Sequence, residues 1–332
     1  MEQYNQSPLS LIDTSFENYV RKRKFTADSH MVNGVPDYAF ALDYELRQKL
    51  MKVPHLYNLA KKYTATYTAH EIQMMNQQGI AVTPDHFGEI YQMGVDCAHK
   101  LGIGVPNIFI INRSDMNAYT YATDQASPVI VLHSGIVERM TPGELKAIIA
   151  HECGHIHNEH LVLKYFLTSI IDAGASFAGS LLLTGANLML ATFWTRASEV
   201  SCDRASLICC DDPMDAYNAM FKLLYGGMIN RDTKMNVDAL RDQLEETLNN
   251  PTRIMELGQF YASNNGYGGI QIGASLMDHP GTLRRIFTEM EFMECETMYQ
   301  WRPDLKKPGM TLRSKAETDE RCKKLVNILD NK

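Results

Sequence analysis

Residues His151-Glu152-Cys153-Gly154-His155 spell an H-E-x-x-H pentapeptide, and no other stretch of the 332-residue chain restricts its fold and chemistry as tightly. Side chains four positions apart lie one above the other on one face of an α-helix, so both imidazoles can reach a single metal ion. Glu152, beside the first histidine, then points to the open side of that metal, where a water would be held. With 11 histidines in the chain the pentapeptide can arise by chance. Its surroundings decide.

The helix around it carries its own start signal. Thr141 reads as N-cap, Pro142 as the first helical residue, and Glu144 stands three positions after the cap. Leu145, Ile148 and Ile149 form an apolar stripe that Cys153, Ile156 and Leu161 extend, which predicts a mostly buried helix from about Pro142 to beyond His160. Unpaired polar groups in a core cost roughly 1–3 kcal/mol each, so two histidines and a glutamate there need partners. A zinc ion supplies them; the plain alternative is a core helix whose histidines bond to carbonyls. A catalytic zinc usually takes three protein ligands and leaves a fourth position for water. The third candidate lies in Arg196–Ala205, which reads as a second helix with Glu199 and Asp203 four apart on one face. That spacing suits a carboxylate ligand followed by an acid that accepts the free N–H of a ligating histidine. Glu199 alone could equally sit on a solvated acidic face.

The order Asn117-Ala118-Tyr119, Val129–Leu132, Ser134-Gly135, Thr141-Pro142-x-Glu144-Leu145, His151-Glu152-x-Gly154-His155-Ile156 and Glu199-x-x-x-Asp203 resembles the zinc metallopeptidases related to HtpX and the CAAX prenyl proteases, a gluzincin group that includes soluble minigluzincins. Asp278-His279-Pro280 with Arg285-Ile286 is similar to the family's late His-Pro and Arg motif, and residues 50–110 look like the helical lead-in of soluble members. Cys153 and Gly281 depart from the family pattern without touching a proposed ligand. The resemblance implies an α+β fold, mostly helical, with a small sheet beside the HExxH helix. It implies zinc on His151, His155 and Glu199, with Glu152 as general base in the hydrolysis of internal peptide bonds. Asp203 and Arg285 would support the ligands, and His279 would donate to the oxyanion, although a histidine before a proline is also an ordinary loop residue. The segment Asn117 to Thr123 alternates in strand fashion after a strand at Asn107 to Asn112. As an edge it would bind an extended peptide through its main chain at Asn117, Ala118 and Tyr119, or simply close a small sheet.

Composition fits a cytoplasmic enzyme. Net charge is −7 with no basic run, which argues against nucleic acid as a partner. Seven cysteines without C-x-x-C spacing read as reduced thiols rather than a disulfide framework. Met1 to Asn33 has no apolar core of a secretory signal. Ala173 to Phe193 carries no charge over 21 residues, long enough to span a bilayer. Yet His155 and Glu199 must meet at one metal, so a single crossing between them is excluded, and a double crossing would bury Lys164 and Asp172. Residues 161–195 therefore read as a hairpin packed on the domain, with membrane contact as the alternative. The expected organisation is a helical extension over 1–75, the metallopeptidase domain over 76–300, and a helical tail over 301–332. Helices are expected at Asp43–Tyr63, Pro84–Leu101, Asp215–Leu224, Val237–Leu248 and Ala316–Leu329. Asn264–Gly269 reads as a lip over the cleft or a connector. An idle zinc-bound interaction module and a membrane-associated prenyl-protein or quality-control protease are the rival functions; the first has no need of Glu152.

Overall fold

A computed structural model of the chain describes residues 30–123, 126–173, 185–249 and 282–326. A short hairpin, β1 (Met31–Val32) and β2 (Val35–Pro36), turns through Asn33-Gly34, both at positive φ. Two helices follow, α1 (Ala41–Met51) and α2 (Leu56–Gln78), where the sequence suggested one over Asp43–Tyr63. Pro54 has no N–H to continue the first helix, and His55 sits left-handed at φ 61°. After β3 (Ile80–Ala81), helix α3 (Gly88–Leu101) begins four residues later than Thr83-Pro84 predicts. Thr83 Oγ1 instead accepts a hydrogen bond from the His86 N–H at 3.1 Å, and the helix starts only after that turn closes. Gly102 ends α3 in the left-handed region, as its position suggests.

β4 (Asn107–Ile111), β5 (Ala118–Thr123) and β6 (Ala126–His133) complete a four-stranded sheet in the order β3-β4-β6-β5. β6 enters between β4 and β5, parallel to the first and antiparallel to the second, with Ile108 and Thr120 both opposite Ile130. This leaves β5 at one edge of the sheet and the two-residue β3 at the other. Period-two alternation sends the strands' side chains into two separate cores. Ile108, Ile110, Ala118, Ile130 and Leu132 join the main core with the HExxH helix. Phe109, Tyr121, Val129 and Val131 pack on the other face with Met75 of α2. Thr120 shares the face of Ala118, toward the HExxH helix.

The remaining described helices are α4 (Ser134–Arg139), α5 (Pro142–His157), α6 (Leu161–Ala173), α7 (Gly185–Cys209), α8 (Pro213–Tyr225), α9 (Val237–Asn249), α10 (Thr282–Phe292), α11 (Glu296–Trp301) and α12 (Lys315–Val326). The fold is thus α+β and mostly helical, with its small sheet beside α5. A further core joins Leu42, Leu46 and Leu50 of α1 to Phe166, Leu167, Trp194, Ala197 and Val200, so α1 packs directly on α7. Among the described residues no helix is long and apolar enough to cross a membrane. The middle of the uncharged run, 174–184, lies outside the described residues, as do His279 and the Asn264–Gly269 loop. All seven cysteines are buried and free.

Candidate metal centre

Helix α5 is anchored at its start by a complete capping box: Thr141 Oγ1 accepts from the Glu144 N–H, and Glu144 Oε2 accepts from the Thr141 N–H at 2.8 Å. Every residue from Ala147 to His155 is buried, because α3, α7, α8 and the sheet pack around the helix. Gly154 sets the approach of α7. A Cβ there would stand 2.9 Å from both the Cys202 Cα and the Ala205 Cβ, so only glycine lets the helices come this close. The close approach carries Glu199, one turn before Cys202, beneath both histidines.

His151 Nε2 lies 3.4 Å from Glu199 Oε2, and His155 Nε2 lies 3.4 Å from Glu199 Oε1. Two ligands held about 2.0–2.1 Å from one tetrahedral ion stand roughly 3.3–3.4 Å apart. Each ring nitrogen thus stands at a ligand-to-ligand distance from one oxygen of Glu199, a different oxygen in each case, and imidazole and carboxylate are donors that a divalent metal such as zinc accepts. Cys202 also brings its sulfur within 4.8 Å of ligand atoms of His151 and His155. Its thiol, however, lies 3.6 Å from His160 Nδ1, behind the His155 ring, and burial pushes its pKa well up. Glu199 and Cys202 are therefore both candidates for a third ligand. The Glu199 carboxyl is held well below the ordinary range: burial would raise it, but Lys164, Arg285 and both histidines overcome that.

The two histidines have different outer partners. His151 Nδ1 lies 3.0 Å from Asp203 Oδ1. Arg285 grips the same Asp203 through Nε (2.7 Å) and Nη2 (2.5 Å), a bidentate fork, and places Nη1 3.0 Å from Glu199 Oε2. Burial lowers the His151 pKa, but Asp203 and Glu199 outweigh it and carry the ring up to about 9. His155 Nδ1 instead meets His160 Nδ1 at 3.0 Å, while Lys164 Nζ stands 2.8 Å from His155 Nε2 and contacts Glu199 Oε1. Burial and the Lys164 charge hold the His155 pKa well below its ordinary value.

On the far side of α5, Thr120 Oγ1 donates to Glu152 Oε2 at 2.5 Å, tying the glutamate to the edge strand. A cavity beside them is lined by Asn117, Ala118, Ala147, Ile148, Met220 and Leu223, with His151 and Glu152 at its polar end. Glu289, also in the lining, is buried without a hydrogen-bond partner among the described residues, and burial raises its pKa well above the ordinary range. The structure thus brings together His151, Glu152, His155, Glu199, Asp203, Arg285, Asn117 and Ala118. Tyr119 is not among them: its ring packs on the opposite face of the sheet, against Tyr121 and His133. Sequence reasoning passed over Thr120, Lys164, His160 and Asp43. Thr120 was legible as the next same-face residue after Ala118; the others depend on chain reversals that no local pattern encodes.

The profile of peptidase family M48 matches residues 84–288. The chain is 29% identical over 213 residues to the plastoglobule-localized metallopeptidase 48, chloroplastic, of Arabidopsis thaliana, which covers 62% of this chain and 60% of that protein. It is 31% identical over 80 residues to protease HtpX of Baumannia cicadellinicola subsp. Homalodisca coagulata, 24% of this chain and 28% of the relative. Protease HtpX of Legionella pneumophila strain Corby is 32% identical over 79 residues, again 24% and 28%. The chain therefore spans 60% or less of the length of these relatives. No solved structure matches it.

Proposed function

The chain belongs to peptidase family M48, and we propose that it is a zinc-dependent endopeptidase in which His151, His155 and Glu199 hold the metal and Glu152 is the general base. The observation that carries this reading is the pair of 3.4 Å separations between the two Nε2 atoms and the two oxygens of Glu199. Zinc in that position supplies Lewis-acid chemistry, polarising a carbonyl and acidifying a water. Glu152 takes the proton of the attacking water and returns it to the leaving amine. Thr120 bonds one oxygen of Glu152, at 2.5 Å, which leaves Oε1 for that proton. The edge strand β5 pairs with an extended peptide through its main chain, so affinity rests little on side chains and the Tyr119 ring is not needed at the cleft. The apolar cavity beside Asn117 and Ala118 would receive a substrate side chain next to the scissile bond. Arg285 keeps Asp203 and Glu199 charged and fixed. By resemblance, His279 supplies a further donor to the oxyanion.

The test separates metal from base. Glu152→Gln should retain one zinc per chain and lose casein hydrolysis by about 10²–10⁴-fold, the usual worth of a general base. Glu199→Ala should lose the zinc itself. Full activity in the Gln variant, with zinc retained, would refute the assignment of the base and favour an idle binding module.

A further inference from the structure

The second histidine of the pentapeptide is attached to a buried chain of polar groups that reaches outside the segment matched by the family profile. We propose that His160 and Asp43 are positioning residues for the metal centre: together they fix the proton of His155 on Nδ1 and so aim its Nε2 lone pair at the metal. The proposal rests on the ligand assignment above and concerns what orients one of those ligands.

The geometry begins at the end of α5. Glu159 adopts φ 57°, left-handed for a residue that is not glycine. The His160 N–H bonds back to the His155 carbonyl at 3.1 Å, and the Glu159 N–H bonds to the Ile156 carbonyl at 3.2 Å. This pair of bonds is a Schellman motif, which usually closes with an apolar contact between the residue in the position of His160 and the one in the position of His155. Here two imidazoles meet instead, Nδ1 to Nδ1 at 3.0 Å. The other side of His160 is fixed as well: its Nε2 lies 2.9 Å from Asp43 Oδ2. Asp43, on α1, also accepts from Ser201 Oγ at 2.6 Å and from Trp194 Nε1 at 2.9 Å, both on α7. His160 and Asp43 are buried. Burial would raise the Asp43 pKa, but His160 and the hydrogen bonds from His160 and Ser201 bring it below the ordinary value, so it stays a carboxylate.

The protons in this chain have one consistent placement. A lysine ammonium can only donate, so Lys164 Nζ at 2.8 Å requires a lone pair on His155 Nε2. The proton of neutral His155 is then on Nδ1. His160 Nδ1 must accept it, which puts the proton of His160 on Nε2, where the acceptor-only Asp43 receives it. The resulting tautomer of His155 is the one that can ligate through Nε2, and the His160–Asp43 pair is arranged to accept its Nδ1 proton. Outer partners of this kind are worth about 10–100-fold in metal affinity.

The test measures zinc affinity of the full chain by chelator competition, with the visible spectrum of the Co²⁺-loaded protein as a second readout. His160→Leu removes the acceptor and should weaken zinc about 10–100-fold and alter the Co²⁺ bands. His160→Gln, whose carbonyl can accept from His155 while its amide donates to Asp43, should restore most of the loss. Asp43→Asn should fall between the two. Trp194→Phe removes a different donor from the same carboxylate; it should lower the melting temperature and leave zinc affinity unchanged. If His160→Leu fails to fold, Asp43→Asn against Trp194→Phe carries the same comparison. The proposal is overturned if the His160 and Asp43 variants change thermal stability as Trp194→Phe does but bind zinc as wild type. Zinc binding that survives Glu199→Ala would instead remove the ligand assignment on which it rests.

Discussion

His151 and His155 belong to one pentapeptide on one helix, yet they are held by opposite chemistry. His151 faces Asp203, itself clamped by Arg285, so its surroundings are dense with charge and its ring is driven toward protonation. His155 has another imidazole, His160, behind its Nδ1 in place of a carboxylate, with Asp43 only beyond that ring, and burial and the Lys164 charge drive it toward neutrality. The first support lies wholly within the segment matched by the family profile; the second reaches back to α1, which precedes it. The difference teaches that an HExxH motif specifies where two rings sit but not how their protons are arranged. That arrangement is set by whichever elements the rest of the fold packs behind each ring.

The sharpest way to break the symmetry is to remove one support. Asp203→Ala leaves Arg285 buried without its main partner and should cost about 3–5 kcal/mol of unfolding free energy, read by chemical denaturation of the chelated protein. No comparable loss is expected from His160→Ala on the His155 side, where the partner at Nδ1 is an imidazole and not one member of a buried arginine–carboxylate pair. A loss of less than about 1 kcal/mol would mean that the Asp203–Arg285 pair is not the buried clamp described above.

The same contrast predicts two opposed pH limbs in the metal-free protein. The folded pKa of His151 lies at about 9, above the ordinary 6.5, so its contribution is fully present below 6.5 and is lost as pH rises through 9. The folded pKa of His155 is depressed, so its contribution is present above 6.5 and is lost as pH falls below it. Melting temperature should therefore decline on both sides of a neutral maximum. His151→Asn should flatten the alkaline limb and His155→Asn the acid limb. Saturating zinc should flatten the alkaline limb too, because the metal replaces the proton on His151. A single limb affected equally by both substitutions would contradict the contrast.

Much of this centre was legible because its signals are local. Thr141-Pro142-x-Glu144 specifies the start of α5, the four-residue spacing stacks the two imidazoles, and Glu199-x-x-x-Asp203 puts the proposed ligand and the acid beside His151 on one face of α7. The sheet's two-faced alternation was legible in part: β5 was recognisable as a strand, but the insertion of β6 between β4 and β5 depends on pairing across the chain. The His155 support was hidden for a physical reason. It requires α5 to stop at His157 although the apolar stripe continues to Leu161, and it requires Glu159 to accept a left-handed conformation that carries no glycine signal. It also needs Asp43, 117 positions before His160, delivered by α1 packing on α7. Helical periodicity has nothing to say about any of these three.

Lys164 offers the finest test of the comparison, because its ammonium contacts only the His155 side of the centre. Burial would lower its pKa, but Glu199 raises it, so the side chain remains a cation against His155 Nε2 and Glu199 Oε1. Both atoms are proposed metal ligands, and a cation that uses them must move when a metal takes them. Lys164→Met should therefore act in two directions: the chelated protein loses an ion pair and melts lower, while zinc binds more tightly, by roughly 10-fold if the ammonium costs about 1.4 kcal/mol to displace. The acid limb should also weaken in this variant, since Lys164 is one cause of the depressed His155 pKa, while the alkaline limb assigned to His151 stays in place. Titration of the chelated variant across both limbs, alongside zinc competition, reads all three effects. Weaker zinc binding in Lys164→Met would show that the lysine supports the ligands rather than competing for them, and the two histidines would then share a cationic support.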